Sequence, residues 1–276
     1  MSNASADTRV KVSVERDGHV AVVTINRPEA RNAIDPEVAL RLADAWLALR
    51  DDDGVRAIVV TGSGDTTFSS GADLGRMITL FNGGRVAEDE WDKRLMNDIF
   101  VFDRTLLRDF DAVKPVIAAV NGDAIAGGME LMQGCDIRVA AEHARFGLQE
   151  VKWGLFPAGG STARLPRQIP YAVAMELLLT GDLIDARRAY ELGLVNHVLP
   201  RDQVQDKALE IARKIAANGP LAVREVRRSA RACIGLTEKE GLQQEKMFAA
   251  PVILSRDARE GPRAFKEKRK PNFEGR

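Results

Sequence analysis

The chain has few aromatics, little sulfur and no excess charge, and each shortage closes off a class of function. Aromatic residues make up only 5% of the sequence, so its core must be mostly aliphatic side chains and alanine. The two cysteines, Cys135 and Cys233, provide neither a disulfide framework nor a zinc-binding spacing. That usage fits a reducing compartment, and a cytoplasmic location is expected. The three histidines, His19, His143 and His197, stand apart and form no metal-ligand pattern, so no metal site is expected. Forty basic and 40 acidic residues cancel. No overall field therefore draws the protein to nucleic acid or to an anionic membrane surface, and an anionic ligand must be held by a local patch. No apolar run approaches the roughly 20 residues of a membrane-spanning helix. Met1 to Thr8 is short and polar, and is expected to be a disordered leader rather than a secretory signal.

What remains is an ordinary globular composition, 45% hydrophobic, in 276 residues. That length suits one large domain, or one domain with a small appendage. Lys11 to Glu15 and His19 to Asn26 alternate apolar and polar residues around Asp17-Gly18, which predicts a hairpin. Asp35-Pro36 opens a helix to about Arg50, with an N-cap acid and a proline at the first helical position. Arg56 to Thr61 and Pro115 to Val120 are apolar strands, and Gly62 to Ser70 is a polar loop. Asp73 to Phe81 and Glu88 to about Ala112 have helical periodicity. Asp136 to Ala140 and Ala144 to Gly147 are short strands. The last third is nearly all helical: Pro170 to Thr180, Asp185 to Leu192, Gln203 to Ala217, Leu221 to Ile234, Glu238 to Phe248 and Ser255 to Arg269. Recurring strand–turn–helix units predict an α/β fold of repeated ββα units, followed by a helical lid or oligomerisation region.

Two glycine-bearing stretches carry the chemistry. Ser69-Ser70-Gly71-Ala72-Asp73-Leu74 and Asn121-Gly122-Asp123-Ala124-Ile125-Ala126-Gly127-Gly128-Met129-Glu130 each follow an apolar strand and lead into a helix. Free N–H groups at two helix starts, aimed at one point, form an oxyanion hole. Either turn alone is more often a tight packing device. Glu130, however, sits in an otherwise apolar helix beside Met129, Leu131 and Met132, where lost solvation raises a carboxyl's pKa and suits it to acid–base work. A second acid, Glu150, follows 20 residues later. Other nucleotide and nucleophile motifs fail. Gly122 to Gly128 lacks the Lys-Ser or Lys-Thr of a phosphate-binding loop, Gly62-Ser63-Gly64 has the wrong spacing for a nucleophile elbow, and no dinucleotide fingerprint is present.

From about Val12 to Phe273 the chain resembles the crotonase family, also called the enoyl-CoA hydratase/isomerase superfamily. The residues that carry the resemblance begin with Ile25-Asn26-Arg27-Pro28, Arg31-Asn32-Ala33 and Phe68 to Leu74. Lys114 to Gly122, Gly127-Gly128-Met129-Glu130-Leu131 and Cys135-Asp136-Ile137 follow. Phe146 to Glu150, Gly154 to Gly160, Leu179-Thr180-Gly181 and Gly193-Leu194-Val195 complete it. The resemblance implies a crotonase-like spiral of ββα units over 9–200 and a helical region over 201–276, assembled as a homotrimer or as a hexamer of two trimers. It implies an acyl-CoA thioester as ligand and no metal or redox cofactor. The N–H groups of Ala72 and Gly127 would bind the thioester oxygen. Backbone around Ala30, Gly71, Asp73 and Leu74 would line the adenine and pantetheine. The segment Phe265 to Lys270, with Phe265 and Lys268, would lie near the nucleotide phosphates, across a subunit boundary.

Both acids of the hydratase pattern are present. Glu130 is assigned mainly to the attacking water and Glu150 to the C2 proton. The expected reaction is reversible syn addition of water to a 2-enoyl-CoA. An enoyl-CoA isomerase, a specialised acyl-CoA dehydratase and a non-catalytic acyl-CoA-binding protein are the rival readings. Three departures from the pattern bear on the acyl group. Gln149 replaces a proline, Ala158 replaces a glycine, and the stretch from Leu74 to Val113 is extended. Straight-chain, branched, cyclic, carnitinyl-like and steroid-derived acyl groups all stay open.

Overall fold

The computed structural model describes residues 10–276; the leader Met1 to Thr8 lies outside them. Val12–Asp17 (β1) and Val20–Ile25 (β2) pair antiparallel, from Val12 opposite Ile25 to Asp17 opposite Val20. Their turn is Gly18-His19, one residue later than expected, with Gly18 at φ 58°. Helix α1 (Pro36–Asp51) starts as its sequence dictates: the Val38 N–H donates to Asp35 at 2.9 Å, and Pro36 fills the first turn.

The chain then repeats one unit. β3 (Ala57–Gly62) and β4 (Thr67–Ser69) lead through a π-helical turn, Leu74–Ile78, into α2 (Thr79–Phe81), α3 (Glu90–Asn97) and α4 (Val101–Thr105). β5 (Val116–Val120) and β6 (Asp123–Ile125) lead into α5 (Gly127–Gly134). β7 (Ile137–Ala141) and β8 (Arg145–Gly147) lead through a short helical turn, Gln149–Trp153, into α6 (Ser161–Gln168) and α7 (Tyr171–Thr180). β9 (Ile184–Asp185), α8 (Ala186–Glu191) and β10 (His197–Leu199) close the spiral. The C-terminal helices are α9 (Arg201–Ala216), α10 (Pro220–Cys233), α11 (Glu238–Ile253) and α12 (Asp257–Lys266).

Each unit gives its first strand to one sheet and its second to another. The six-stranded sheet runs β1-β2-β3-β5-β7-β10, parallel from β2 onward, and the four-stranded sheet runs β4-β6-β8-β9, with β4, β6 and β8 parallel. β3 and β5 are buried along their whole length, as central parallel strands covered on both faces must be. Helix α9 packs against β2, β3, β5 and β7, so the helical region begins as a layer of the spiral core.

Helix α10 is fastened to the core by charge: Arg227 donates to Asp136 at 2.8 Å and Arg231 at 2.9 Å. α11 packs on α10 and, less, on α12. The final residues fold back: the Asp257 carboxylate accepts the N–H groups of Glu274 and Gly275, both at 2.8 Å. No described helix is long and apolar enough to cross a membrane.

Four expectations need correction. The polar loop Gly62 to Ser70 contains β4, and the second glycine stretch contains β6. Both strands are three residues long, too short for a periodic signal. The single helix expected from Glu88 to Ala112 is instead α3 and α4, broken at Asp98 (φ −124°, ψ 96°) and ended before Leu107, which turns to φ 50°. Helix α11 runs past Phe248 to Ile253, through Pro251.

Candidate active site

Because β4, β6 and β8 are parallel neighbours, the segments leaving their C-terminal ends lie side by side. Those segments carry Ala72, Gly127 and Glu150 respectively. Open parallel sheets place ligands at this end of their strands for the same reason.

The first two segments interlock through glycine. Gly71 has φ 84°, and a Cβ there would stand 2.6 Å from the Gly127 nitrogen. A Cβ on Gly128 would overlap the Ser69 carbonyl oxygen. Ala126 holds φ 51° and ψ −126°, an unusual conformation for a residue with a side chain, fixed by its N–H bond to the Gly147 carbonyl at 2.9 Å. Ala72 is bracketed by bonds from the Ile34 N–H to the Gly71 carbonyl at 2.8 Å and from the Asp73 N–H to the Ile34 carbonyl at 2.9 Å. The N–H groups of Ala72 and Gly127 themselves donate to no described acceptor. They are neighbours, since a Cβ on Gly127 would lie 3.4 Å from the Ala72 nitrogen. Gly127 is the first residue of α5, so its N–H is one of the groups a helix leaves unpaired.

Glu130 lies one turn further along α5 and is 2% exposed. The Ser161 N–H at the start of α6 donates to its Oε1 at 3.1 Å, and Gly159 abuts Oε2 so closely that a Cβ there would overlap it. Burial pushes the Glu130 carboxyl above its ordinary range, while the N–H groups of Ser161 and Gly159 and the Arg164 guanidinium oppose that shift. Glu150 is 9% exposed, and its Oε2 is buried without a hydrogen-bond partner. Burial first, and the charge of Glu130 second, push Glu150 up to about 7. The two carboxyls thus share one site in unequal settings, one held by fixed donors and the other unpaired.

Both line a cavity of about 360 Å³, together with Ala72, Gly127 and Leu74. The other expected residues fall around it. Gly71 packs beneath Gly127. The Asp73 carboxylate is already engaged: it accepts the Gly75 and Arg76 N–H groups at 3.0 Å each and an Arg27 guanidinium bond at 2.6 Å. Ala30 ends the short helical turn Pro28–Ala30, and the next residue's carbonyl accepts the Ser70 N–H at 3.1 Å, which ties that turn to the first glycine segment. Phe265, 87% exposed on α12, and Lys268, just beyond it at φ 55°, do not line the cavity within one chain.

Sequence reasoning overlooked the groups that hold Glu130. Gly159-Gly160-Ser161 is a glycine pair before a helix, the same signal that marked the other two turns, and it could have been read as a third donor site. Phe81 and Phe102, which meet edge to face at 6.0 Å and 90° on the cavity wall, were hidden in the extended segment.

Residues 15–276 match the family model described as enoyl-CoA hydratase/isomerase. The chain is 44% identical to an enoyl-CoA hydratase of Mycobacterium tuberculosis, across 99% of this chain and 100% of the relative. It is 36% identical to a crotonyl-CoA hydratase of Syntrophomonas wolfei, across 95% of this chain and 97% of the relative. It is also 36% identical to an (E)-benzylidenesuccinyl-CoA hydratase of Thauera aromatica, across 96% of this chain and 99% of the relative. Among solved structures, an enoyl-CoA hydratase of Bacillus anthracis superimposes with a TM-score of 0.86 at 36% identity, covering 96% of this chain and 100% of that one. With the spiral, the paired N–H groups and the two buried glutamates in place over this whole length, the chain belongs to the enoyl-CoA hydratase/isomerase family.

Proposed function

We propose that the protein is an enoyl-CoA hydratase, adding water reversibly and syn across the 2,3 double bond of a 2-enoyl-CoA. The observation that carries this reading is the pair Glu130 and Glu150 in one cavity with the two unengaged N–H groups of Ala72 and Gly127. The thioester oxygen accepts both N–H groups, which stabilise the negative charge that grows on it as C3 is attacked. Glu130, a stronger base for its burial and oriented by the Ser161 N–H, takes a proton from water as the water oxygen bonds to C3. The electron pair of the double bond moves to C2 and the thioester oxygen, and Glu150 then gives its proton to C2. The turnover leaves Glu130 protonated and Glu150 ionised, and proton exchange with solvent restores the starting pair. Each step moves protons and one electron pair within acid, base and substrate, so no metal or redox cofactor enters.

We further propose that the enzyme is assembled and cytoplasmic; free Cys135 and Cys233 fit a reducing compartment, and an exposed apolar face supports assembly. The α10–α11 hairpin leaves Val226, Leu242 and Ile253 between 55% and 70% exposed along an apolar groove, and Met247 on α11 is 70% exposed as well. Contiguous apolar surface of that kind is ordinarily covered by another subunit, and a homotrimer or a hexamer of two trimers would cover it. Such an assembly would bring Phe265 and Lys268 to a neighbouring subunit's coenzyme A. The test of function is direct. The enoyl thioester's conjugated absorbance should disappear with enzyme, and mass spectrometry should find the 3-hydroxyacyl-CoA. A shifted double bond with no added water would instead indicate an isomerase.

A further inference from the structure

The cavity holds more than a four-carbon acyl group, and its walls are almost entirely apolar. Leu74, Ile78, Phe81, Phe102, Trp153 and Phe156 supply its large apolar side chains. Among the described residues that line it, only Glu130 and Glu150 ionise, and none is a lysine or an arginine. At about 30 Å³ for each water-sized group, the four carbons of a crotonyl chain fill roughly a third of the space and the thioester sulfur beside Ala72 and Gly127 a little more, which leaves about half of it. The remaining walls would then face water or a void, an arrangement that apolar surface resists. Three aromatic members are also open in the single chain: Phe81 is 45% exposed, Trp153 67% and Phe156 69%. Open aromatic surface at a cavity mouth is what a large apolar ligand covers on binding. Leu74, Ile78, Phe81 and Phe102 come from the extended segment after β4, where the π-helical turn Leu74–Ile78 leads directly into α2 and Phe81, and Trp153 and Phe156 from the segment after β8. Such π turns concentrate at functional sites.

Resting on the hydratase reading above, we infer that this site selects uncharged apolar 2-enoyl groups well beyond four carbons, with the Phe81–Phe102 pair and Trp153 as the specificity wall. A carboxylate at the far end of the acyl chain would be buried against that apolar wall with no lysine or arginine among the described lining residues to pair with it, so charged acyl groups are disfavoured.

The test compares kcat/KM for crotonyl-CoA, trans-2-octenoyl-CoA and the octenoyl chain ending in a carboxylate. The octenoyl substrate should exceed crotonyl by at least about tenfold, well within what burying four added methylenes supplies. The carboxylate-ended chain should fall at least about tenfold below octenoyl, one factor of ten being a modest cost for an unpaired buried charge. Phe81→Ala and Trp153→Ala, both at exposed positions that the fold tolerates, should lower the octenoyl-to-crotonyl ratio. Crotonyl turnover equal to or above octenoyl, equal rates for the charged chain, or an unchanged ratio in both variants would overturn the inference while leaving the hydratase reading intact. Hydration of none of the three substrates would overturn that reading, and this inference with it.

Discussion

The negative charge of Glu130 faces the buried, unpaired carboxyl of Glu150 within one cavity, and it adds to burial in raising Glu150 to about 7. Two acids so placed share protons, and the competent state for hydration is the pair carrying a single proton, on Glu150. The product state is the same pair with that proton on Glu130. Hydration and its reverse therefore draw on equally protonated forms of the enzyme.

Bell-shaped pH profiles follow from that sharing. kcat/KM should fall above about pH 7 as the last proton leaves the pair, and fall again in acid as a second proton neutralises Glu130. Dehydration of the 3-hydroxyacyl-CoA should trace the same curve, because the overall equilibrium takes up no protons. Rates measured in both directions across pH 4 to 9 check it. A hydration rate that keeps rising above pH 8 would remove Glu150 as the proton donor.

Stability should carry the same signature with a defined sign. Glu150 is raised in the folded protein from an ordinary 4.5 to about 7. The unfolded chain releases that proton first, so stability is fully present below about 4.5 and is lost as pH rises through 7. Glu150→Gln cannot ionise and escapes the loss, which amounts to about 3 kcal/mol at most. Thermal melts should show the variant gaining on the parent at pH 8 and not at pH 4.5. An equal difference at both values would mean that the carboxyl is better solvated than its surroundings imply.

The backbone donors can be tested by proline. Gly127 is the first residue of α5, where proline suits the helix and removes the N–H, but Ala126 before it, at φ 51° and ψ −126°, must accommodate the ring, so the fold is checked alongside. Gly127→Pro, with its fold and oligomer size checked by circular dichroism and light scattering, should lose about 3–4 kcal/mol of transition-state stabilisation. The loss should appear in turnover more than in coenzyme A affinity, because the oxygen gains its charge only during reaction. Normal turnover in a folded variant would move the oxyanion site elsewhere.

The helical hairpin predicts assembly. Light scattering at micromolar concentration should give a trimer or a multiple of three, and Met247→Asp with Ile253→Asp should shift it toward smaller species, since each places charge on the exposed apolar face. A monomeric parent protein would contradict the covered-groove reading and with it the placing of Lys268 beside a neighbour's ligand.

Much of this was legible because local chemistry and tertiary role coincide. Asp35-Pro36 announces α1, and the glycines at 71 and 128 sit where any side chain would strike backbone. Glu130 stood out as an acid among methionines and leucines. The three-residue strands β4 and β6 could not be seen, because only their neighbours in the second sheet make them strands. The Phe81–Phe102 contact was equally hidden, joining two short helices separated by breaks that periodicity smoothed over. The Ser161 N–H that steadies Glu130 comes from 31 residues away and belongs to no side-chain pattern.

The central claim is that Glu130 and Glu150 together carry out hydration, and one set of rate measurements tests it most directly. Glu130→Gln and Glu150→Gln are compared with the parent enzyme for conversion of a 2-enoyl-CoA to its 3-hydroxyacyl-CoA, with binding of the acyl-CoA measured alongside. Each variant should bind nearly as the parent does and turn over roughly 10²–10⁴-fold more slowly. The double variant should lose less than the product of the two, since both groups serve one water and one double bond. Parental turnover in either single variant would contradict the account.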